Sequence, residues 1–276
     1  MGLGAQLLHW PQRFVDTLVR RGFRVVRFDN RDVGLSQRLS GTPDIPRLIG
    51  RRLLGLPIRS PYSLSDMAQD AVGVLDALDI DRAHIIGASL GGMIAQRVAL
   101  EHPERALSLT SIMSSPGRRR DNLVSPKAAL ALLKTPDAST VESYTADLFT
   151  FMDTVGSPDF DRDNEEFRRV AAELYRRGVS PEGSKRQLAA ILADGDRTEL
   201  LRSIRKPTLV IHGLADPLIA PAGGRATAAA IPGARFMGIE GMGHDLPAAV
   251  HDRLADAIGE LVQGNGSALA EGGSRA

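Results

Sequence analysis

Residues 87–91 read Gly-Ala-Ser-Leu-Gly and fit the pattern G-x-S-x-G. An apolar run at 83–87, short enough for a buried strand, precedes them, and a helical pattern over 91–101 follows. In that setting the chain turns so sharply that the serine is lifted out of the sheet, and small residues two positions away on either side avoid clashes. The context therefore predicts Ser89 as a catalytic nucleophile. The alternative is a glycine-rich turn whose serine caps the helix.

A serine hydroxyl is a poor nucleophile until a base removes its proton. Downstream of Ser89 the candidate bases are four histidines: His102, His212, His244 and His251. His102 ends the helix that Ser89 begins, roughly 15–20 Å away. His212 and His251 lie in a predicted strand and a predicted helix, whereas His244 lies in a glycine-rich loop after the last predicted strand. Because such sheets carry their sites beyond the carboxyl ends of the strands, we predict His244 as the base. The alternative is a histidine in a surface turn.

The acid of a catalytic triad should also follow a strand. Asp216 comes four residues after the predicted strand at 208–212. A carboxylate there would accept a hydrogen bond from the histidine, fix its tautomer and stabilise the imidazolium. The alternative is a turn-forming aspartate before Pro217. Asp245 is a poorer candidate because it is adjacent to His244, and neighbouring side chains point apart.

The tetrahedral intermediate of acyl transfer needs two N–H donors for its oxyanion. One is expected from the residue after the nucleophile, Leu90, and the other from the loop that leads into the first helix of the core. The segment before that helix here is 2–6, and its glycines allow a close approach of the backbone. By position, we predict Leu3 as the second donor.

The elements that would position these residues alternate along the chain. Apolar runs predict strands at 24–28, 83–87, 107–112, 208–212 and 234–239. Helical patterns separate them, which is typical of a parallel α/β sheet with crossover helices. Four amphipathic helical stretches replace this alternation between about 116 and 205. We therefore predict an α/β core over 1–114 and 206–262, a helical cap over 115–205, and a disordered tail over 263–276.

The composition narrows the classes of function. The chain has 276 residues with 34 basic against 33 acidic side chains, so no overall basic field attracts nucleic acid. It contains no cysteine, which excludes disulfides, thiolate metal sites and cysteine nucleophiles. No apolar run approaches the ~18 residues typical of a membrane span, and the first residues do not form a signal peptide. We expect a cytoplasmic enzyme that acts on a small-molecule ester without a cofactor or a metal, in an oligomeric state that the sequence does not indicate.

Four segments together resemble the α/β-hydrolase superfamily, and within it the aclacinomycin methylesterase group of bacterial esterases. They are Gly2 to Pro11, Phe28 to Ser36, Gly87 to Gly92 and Gly241 to His244. The resemblance implies an α/β-hydrolase fold, a triad of Ser89, Asp216 and His244, an oxyanion hole formed by Leu3 and Leu90, and a helical cap over the site. It also implies ester hydrolysis through an acyl-enzyme.

One departure from the family concerns the first residues. Members of the superfamily normally have a strand running directly into the oxyanion turn, whereas this sequence begins at that turn. The hypothesis that follows is that Met1 is an internal methionine and that the true start lies upstream. Alternative functions are a lactonase, thioesterase, carbon–carbon hydrolase or perhydrolase with the same triad, a non-catalytic binding protein, and an inactive truncated product.

Overall fold

The computed structural model describes residues 1–118, 120 and 124–271, and its centre is a parallel β-sheet. The strands pair in chain order, and they are β1 (Ala83–Ala88), β2 (Ala106–Ile112), β3 (Thr208–Gly213) and β4 (Arg235–Ile239). All three pairings are parallel. The sheet therefore places the loops that follow its strands along one edge, as predicted.

Eleven helices surround the sheet in the described part of the chain. They are α1 (Gln12–Arg20), α2 (Ile45–Leu53), α3 (Leu64–Ala77), α4 (Leu90–Glu101), α5 (Pro126–Leu133), α6 (Val141–Val155), α7 (Asn164–Arg177), α8 (Pro181–Asp194), α9 (Thr198–Leu201), α10 (Pro221–Ala230) and α11 (His251–Glu271). Helices α5 to α9 all lie between β2 and β3, and residues 115–205 are called the inserted segment below.

The core lies on both faces of the sheet. On one face α1 and α11 pack against the strands, with Phe14, Ile211 and Leu254 almost fully buried. On the other face α3 and α4 pack together around Leu64 and Met67. Because both faces are covered, β3 is buried along its whole length and carries a continuous apolar run over 209–211. The sequence pattern located β1 to β4 to within about two residues.

The two ends of the inserted segment are joined by a buried arginine. Arg197 is 1% exposed and forms an ion pair with Asp194. Its guanidinium donates to the carbonyl of Ser115 at 2.7 Å and to Oε1 of Gln96 at 3.1 Å. Its backbone N–H donates to the carbonyl of Pro116 at 2.8 Å. The entry and exit of the inserted segment are therefore held side by side on α4.

A second buried ion pair attaches α8 to the core. Arg186 donates from Nε and Nη2 to the two carboxylate oxygens of Asp32, at 3.0 and 2.7 Å. Both side chains are at most 4% exposed. Asp32 also accepts from the Leu39 N–H, and Arg186 donates to the Gly41 carbonyl. The pair is thus fully hydrogen-bonded, which is the condition under which buried charges are tolerated.

Replacing Arg186 by methionine is expected to lower the free energy of unfolding by about 3–5 kcal/mol, because Asp32 would remain as a buried, unpaired charge. Urea unfolding followed by circular dichroism measures this. The matched control is Lys185→Met on the same helix, which removes a half-exposed pair with Glu182 and should change stability by less than about 1 kcal/mol. Equal losses in the two variants would contradict the assignment.

One prediction from the sequence differs from the structure. Residues 24–28 form no strand, because a strand requires a hydrogen-bonded neighbour and none of the described residues pairs with this segment. The apolar pattern there reflects side-chain burial instead, because Val25 packs on the core together with the adjacent Phe23. In the structure α11 continues to Glu271, and the disordered tail over 263–276 stays a prediction, with residues 272–276 outside the described residues.

Among the helices that the structure describes, none is both long enough and apolar enough to cross a bilayer.

Candidate active site

Ser89 occupies a strained turn between β1 and α4. Its φ and ψ angles are +56° and −120°, in a region that residues other than glycine rarely adopt. A Cβ on Gly87 would collide with the Gly91 carbonyl, and one on Gly92 would lie 2.6 Å from Cβ of Ser114. Larger side chains at these positions would clash with neighbouring atoms, so close packing requires the small residues around Ser89. The turn directs the Ser89 side chain away from the sheet.

His244 connects Ser89 to Asp216. Its Nε2 lies 3.0 Å from Oγ of Ser89, and its Nδ1 lies 2.7 Å from Oδ2 of Asp216. The three residues follow β1, β3 and β4 and meet at the carboxyl edge of the sheet. Because a carboxylate only accepts hydrogen bonds, we assign the proton to Nδ1. That tautomer leaves Nε2 free to accept the proton of the serine hydroxyl.

Asp216 is held as a carboxylate by its surroundings. Its Oδ1 accepts the N–H groups of Leu218 and Ile219 at 2.8 and 2.9 Å. Burial opposes ionisation, but the charge of His244 and the hydrogen bonds from His212, His244 and the Ile219 backbone hold the pKa of Asp216 well below its usual range. Asp216 therefore stays ionised, and a carboxylate in this place can stabilise an imidazolium at His244.

His212 is a contact of this site that the sequence did not reveal. It is fully buried in β3, and its Nε2 lies 3.4 Å from Oδ2 of Asp216 and 2.8 Å from the carbonyl of Ile219. The sequence indicated only a histidine within a predicted strand. The signal that could have found the contact is the spacing of four residues between His212 and Asp216 across a tight turn.

The predicted oxyanion turn lies beside the nucleophile. The Ala5 N–H donates to the Gly2 carbonyl at 3.1 Å, and Gly4 has a φ of +65°. A Cβ on Gly2 would lie 3.3 Å from Cβ of Ser89. Within the described residues, the N–H groups of Leu3 and Leu90 donate to no hydrogen bond. Both N–H groups are therefore unpaired among these residues, and their role as oxyanion donors stays a prediction.

The inserted segment holds this turn in place. Gln187 on α8 accepts the Gly4 N–H at 2.8 Å through Oε1 and donates from Nε2 to the Arg31 carbonyl at 2.8 Å. Gln6 donates to the carbonyls of Leu174 and Gly178. Gln187 could not be predicted from the sequence, because a single glutamine in an amphipathic helix carries no motif.

No group of three or more metal-ligating side chains occurs among the residues that the structure describes.

A comparison with known protein families identifies the family of this chain. Residues 2–247 match the model of the α/β-hydrolase fold family. The chain belongs to the α/β-hydrolase family. The α/β-hydrolase is similar to two curated relatives: it is 33% identical to the rhodomycin D methylesterase DauP of Streptomyces sp. (strain C5) and 31% identical to the rhodomycin D methylesterase DnrP of Streptomyces peucetius. Each comparison covers 90% of this α/β-hydrolase and 84% of the relative.

Solved structures show the same fold. An esterase from Thermogutta terrifontis superposes on this α/β-hydrolase with a TM-score of 0.68 at 22% identity, covering 96% of this chain and 88% of that one. The predicted fold class and the resemblance to the methylesterase group are both confirmed, as is the prediction that the chain is an enzyme of the hydrolase class.

Proposed function

We propose that this α/β-hydrolase cleaves carboxylic esters through an acyl-enzyme formed on Ser89. The observation that carries the proposal is the continuous relay from Oγ of Ser89 through the His244 imidazole to the Asp216 carboxylate, with steps of 3.0 and 2.7 Å. Both distances lie within hydrogen-bond reach, which is the first requirement for a base that activates a nucleophile.

The chemistry proceeds in two halves. Oγ of Ser89 bonds to the ester carbonyl carbon while Nε2 of His244 takes the hydroxyl proton, and the N–H groups of Leu3 and Leu90 receive the oxyanion. His244 then protonates the leaving alcohol as the C–O bond breaks, which leaves an acyl ester on Ser89. Water attacks this ester, His244 takes a proton from the water, and the proton returns to Ser89 as the carboxylic acid departs.

The substrate class is proposed from the relatives. Both Streptomyces relatives are named for methylesterase activity on rhodomycin D. We therefore propose a methyl ester of a larger acid as the substrate, with methanol as the first product. The inserted segment acts as the cap, because its helices α7 and α8 contact the oxyanion turn that would bind the ester carbonyl.

A fluorophosphonate tests the mechanism, because the nucleophile displaces fluoride and keeps the phosphonyl group. We expect one label per chain, mapped by peptide mass to Ser89, with methanol release from an aromatic methyl ester falling in proportion to labelling. Ser203→Ala, at an exposed turn, should be labelled like the wild type. A label on another residue, or activity that survives complete labelling, would refute the proposal.

A further inference from the structure

The loop that carries His244 packs directly against one stretch of the inserted segment. A Cβ on Gly243 would collide with the carbonyl of Gly156 and come within 2.7 Å of the carbonyl of Val155. A Cβ on Gly241 would collide with the side chain of Asp159. Glycine at 243 therefore allows the backbone of the loop to touch the backbone of the inserted segment, and glycine at 241 leaves room for the side chain of Asp159.

Hydrogen bonds on both sides of His244 end on that same stretch. The His244 N–H donates to the Val155 carbonyl at 2.7 Å. The Gly243 N–H donates to Oγ of Ser157 at 2.9 Å, and the Ser157 hydroxyl donates to Oδ1 of Asp245. The residue before His244, His244 itself and the residue after it are therefore each bound to residues 155–157.

The side chain of Asp245 depends on this contact. Burial raises the pKa of its carboxyl above the usual range, although the hydrogen bonds from Ser157 and the charges of His244 and Arg162 act in the opposite direction. A partly buried carboxyl that loses its hydrogen-bond partner has to move or find another. Ser157 therefore restrains the position of Asp245, and through it the backbone of the adjacent His244.

The same stretch also contacts the loop of the acid. Val155 is fully buried and packs against Ala128 and Leu218, and the Leu218 N–H is one of the donors to Asp216. One short piece of the inserted segment thus touches both the base loop and the acid loop. Small displacements matter there, because misplacing a reacting group by about 1 Å can lower a rate by about 100-fold.

We propose that residues 155–157 form a positioning element for His244, in which Ser157 acts as a positioning residue through Asp245 and the Gly243 N–H. The inference rests on the proposed role of His244 as the base. The inserted segment would then contribute to catalysis in a second way besides its contact with the oxyanion turn, because residues 155–157 would fix the orientation of the His244 imidazole.

The test compares variants on the two sides of this contact. Ser157→Ala and Asp245→Ala should each lower kcat, and the rate of Ser89 phosphonylation, by about 10–100-fold, with KM within about twofold of wild type. Asp245→Ala removes the partly buried carboxyl together with the contact, so it can be measured even if Ser157→Ala leaves that carboxyl unpaired and does not fold. Asp245→Asn keeps an acceptor oxygen for Ser157 and should retain most of the kcat.

The matched control is Thr140→Ala, at the other end of α6. Its Oγ1 accepts the Ser143 N–H at 3.1 Å, so the substitution destabilises the same helix by about 1 kcal/mol without touching the His244 loop. A purely structural role would lower the melting temperature in all variants and leave kcat of the folded protein unchanged. Folded Ser157→Ala and Asp245→Ala with kcat within twofold of Thr140→Ala would overturn the inference. Failure of Ser89 to react in the wild type would overturn the proposed function instead.

Discussion

Ser89→Ala should lower kcat by about 10⁵–10⁶-fold, the range expected when the nucleophile of an acyl-enzyme mechanism is removed. The only described hydrogen bond of the Ser89 side chain is the one to Nε2 of His244, so alanine removes the reacting oxygen and little else. Alanine and serine share the strain of a φ near +56°, and the Cβ that lies against Gly2 is retained. Stability should therefore change by less than about 1 kcal/mol.

The measurement is kcat on a p-nitrophenyl ester together with equilibrium binding of a non-hydrolysed analogue. Binding should stay within a few-fold of wild type, because the oxyanion donors and the inserted segment are untouched. Ser203→Ala serves again as the control for a serine hydroxyl at the surface. Unchanged turnover in Ser89→Ala would eliminate the mechanism.

Asp216→Asn should lower kcat by about 10⁴-fold while leaving the fold intact. The N–H groups of Leu218 and Ile219 both donate to Oδ1, so the amide of an asparagine must place its oxygen there. Its NH₂ then faces Nδ1 of His244 in the place of Oδ2, which in the wild type accepts a hydrogen bond from Nδ1. The imidazole is forced into the tautomer with the proton on Nε2, and it can no longer take the proton of Ser89.

The backbone N–H groups of Leu218 and Ile219 fix this orientation of the amide. The tautomer of His244 therefore provides a direct check of the prediction. In the variant, the imidazole nitrogen resonances of His244 should show Nδ1 unprotonated, whereas the wild type should show it protonated. Asp256→Asn, an exposed position on α11, controls for the loss of one negative charge. A kcat within tenfold of wild type, with the tautomer unchanged, would contradict the proposed role of Asp216.

The residue types of the candidate site follow from the sequence because their constraints are local. The elbow at Ser89 requires small residues at fixed spacing, and strand-forming runs lie directly before Ser89 and shortly before Asp216 and His244. Their meeting within hydrogen-bond distance follows once the strands are parallel, since the carboxyl ends then share one edge. Leu3 and Leu90 were predicted in the same way, from their positions relative to a turn and a helix start.

The contacts between the core and the inserted segment could not be predicted in this way. Gln187 on the oxyanion turn and Ser157 on the base loop join residues 183 and 86 positions apart. Contacts that cross from the core to the inserted segment leave no periodic pattern, because each depends on how two separately formed elements pack. The strand predicted at 24–28 was wrong for a related reason, since pairing is a property of two segments and the pattern described only one.

The sequence by itself therefore determined the fold class, the nucleophile turn and the candidates for base and acid, because each depends on spacing along one short stretch of chain. Only the tertiary structure decided which side chains hold the nucleophile, base and acid candidates in position relative to one another. The glycines at 241 and 243 are an example: in the sequence they indicate a loop, and in the structure they let the inserted segment approach close enough to bind the backbone of His244.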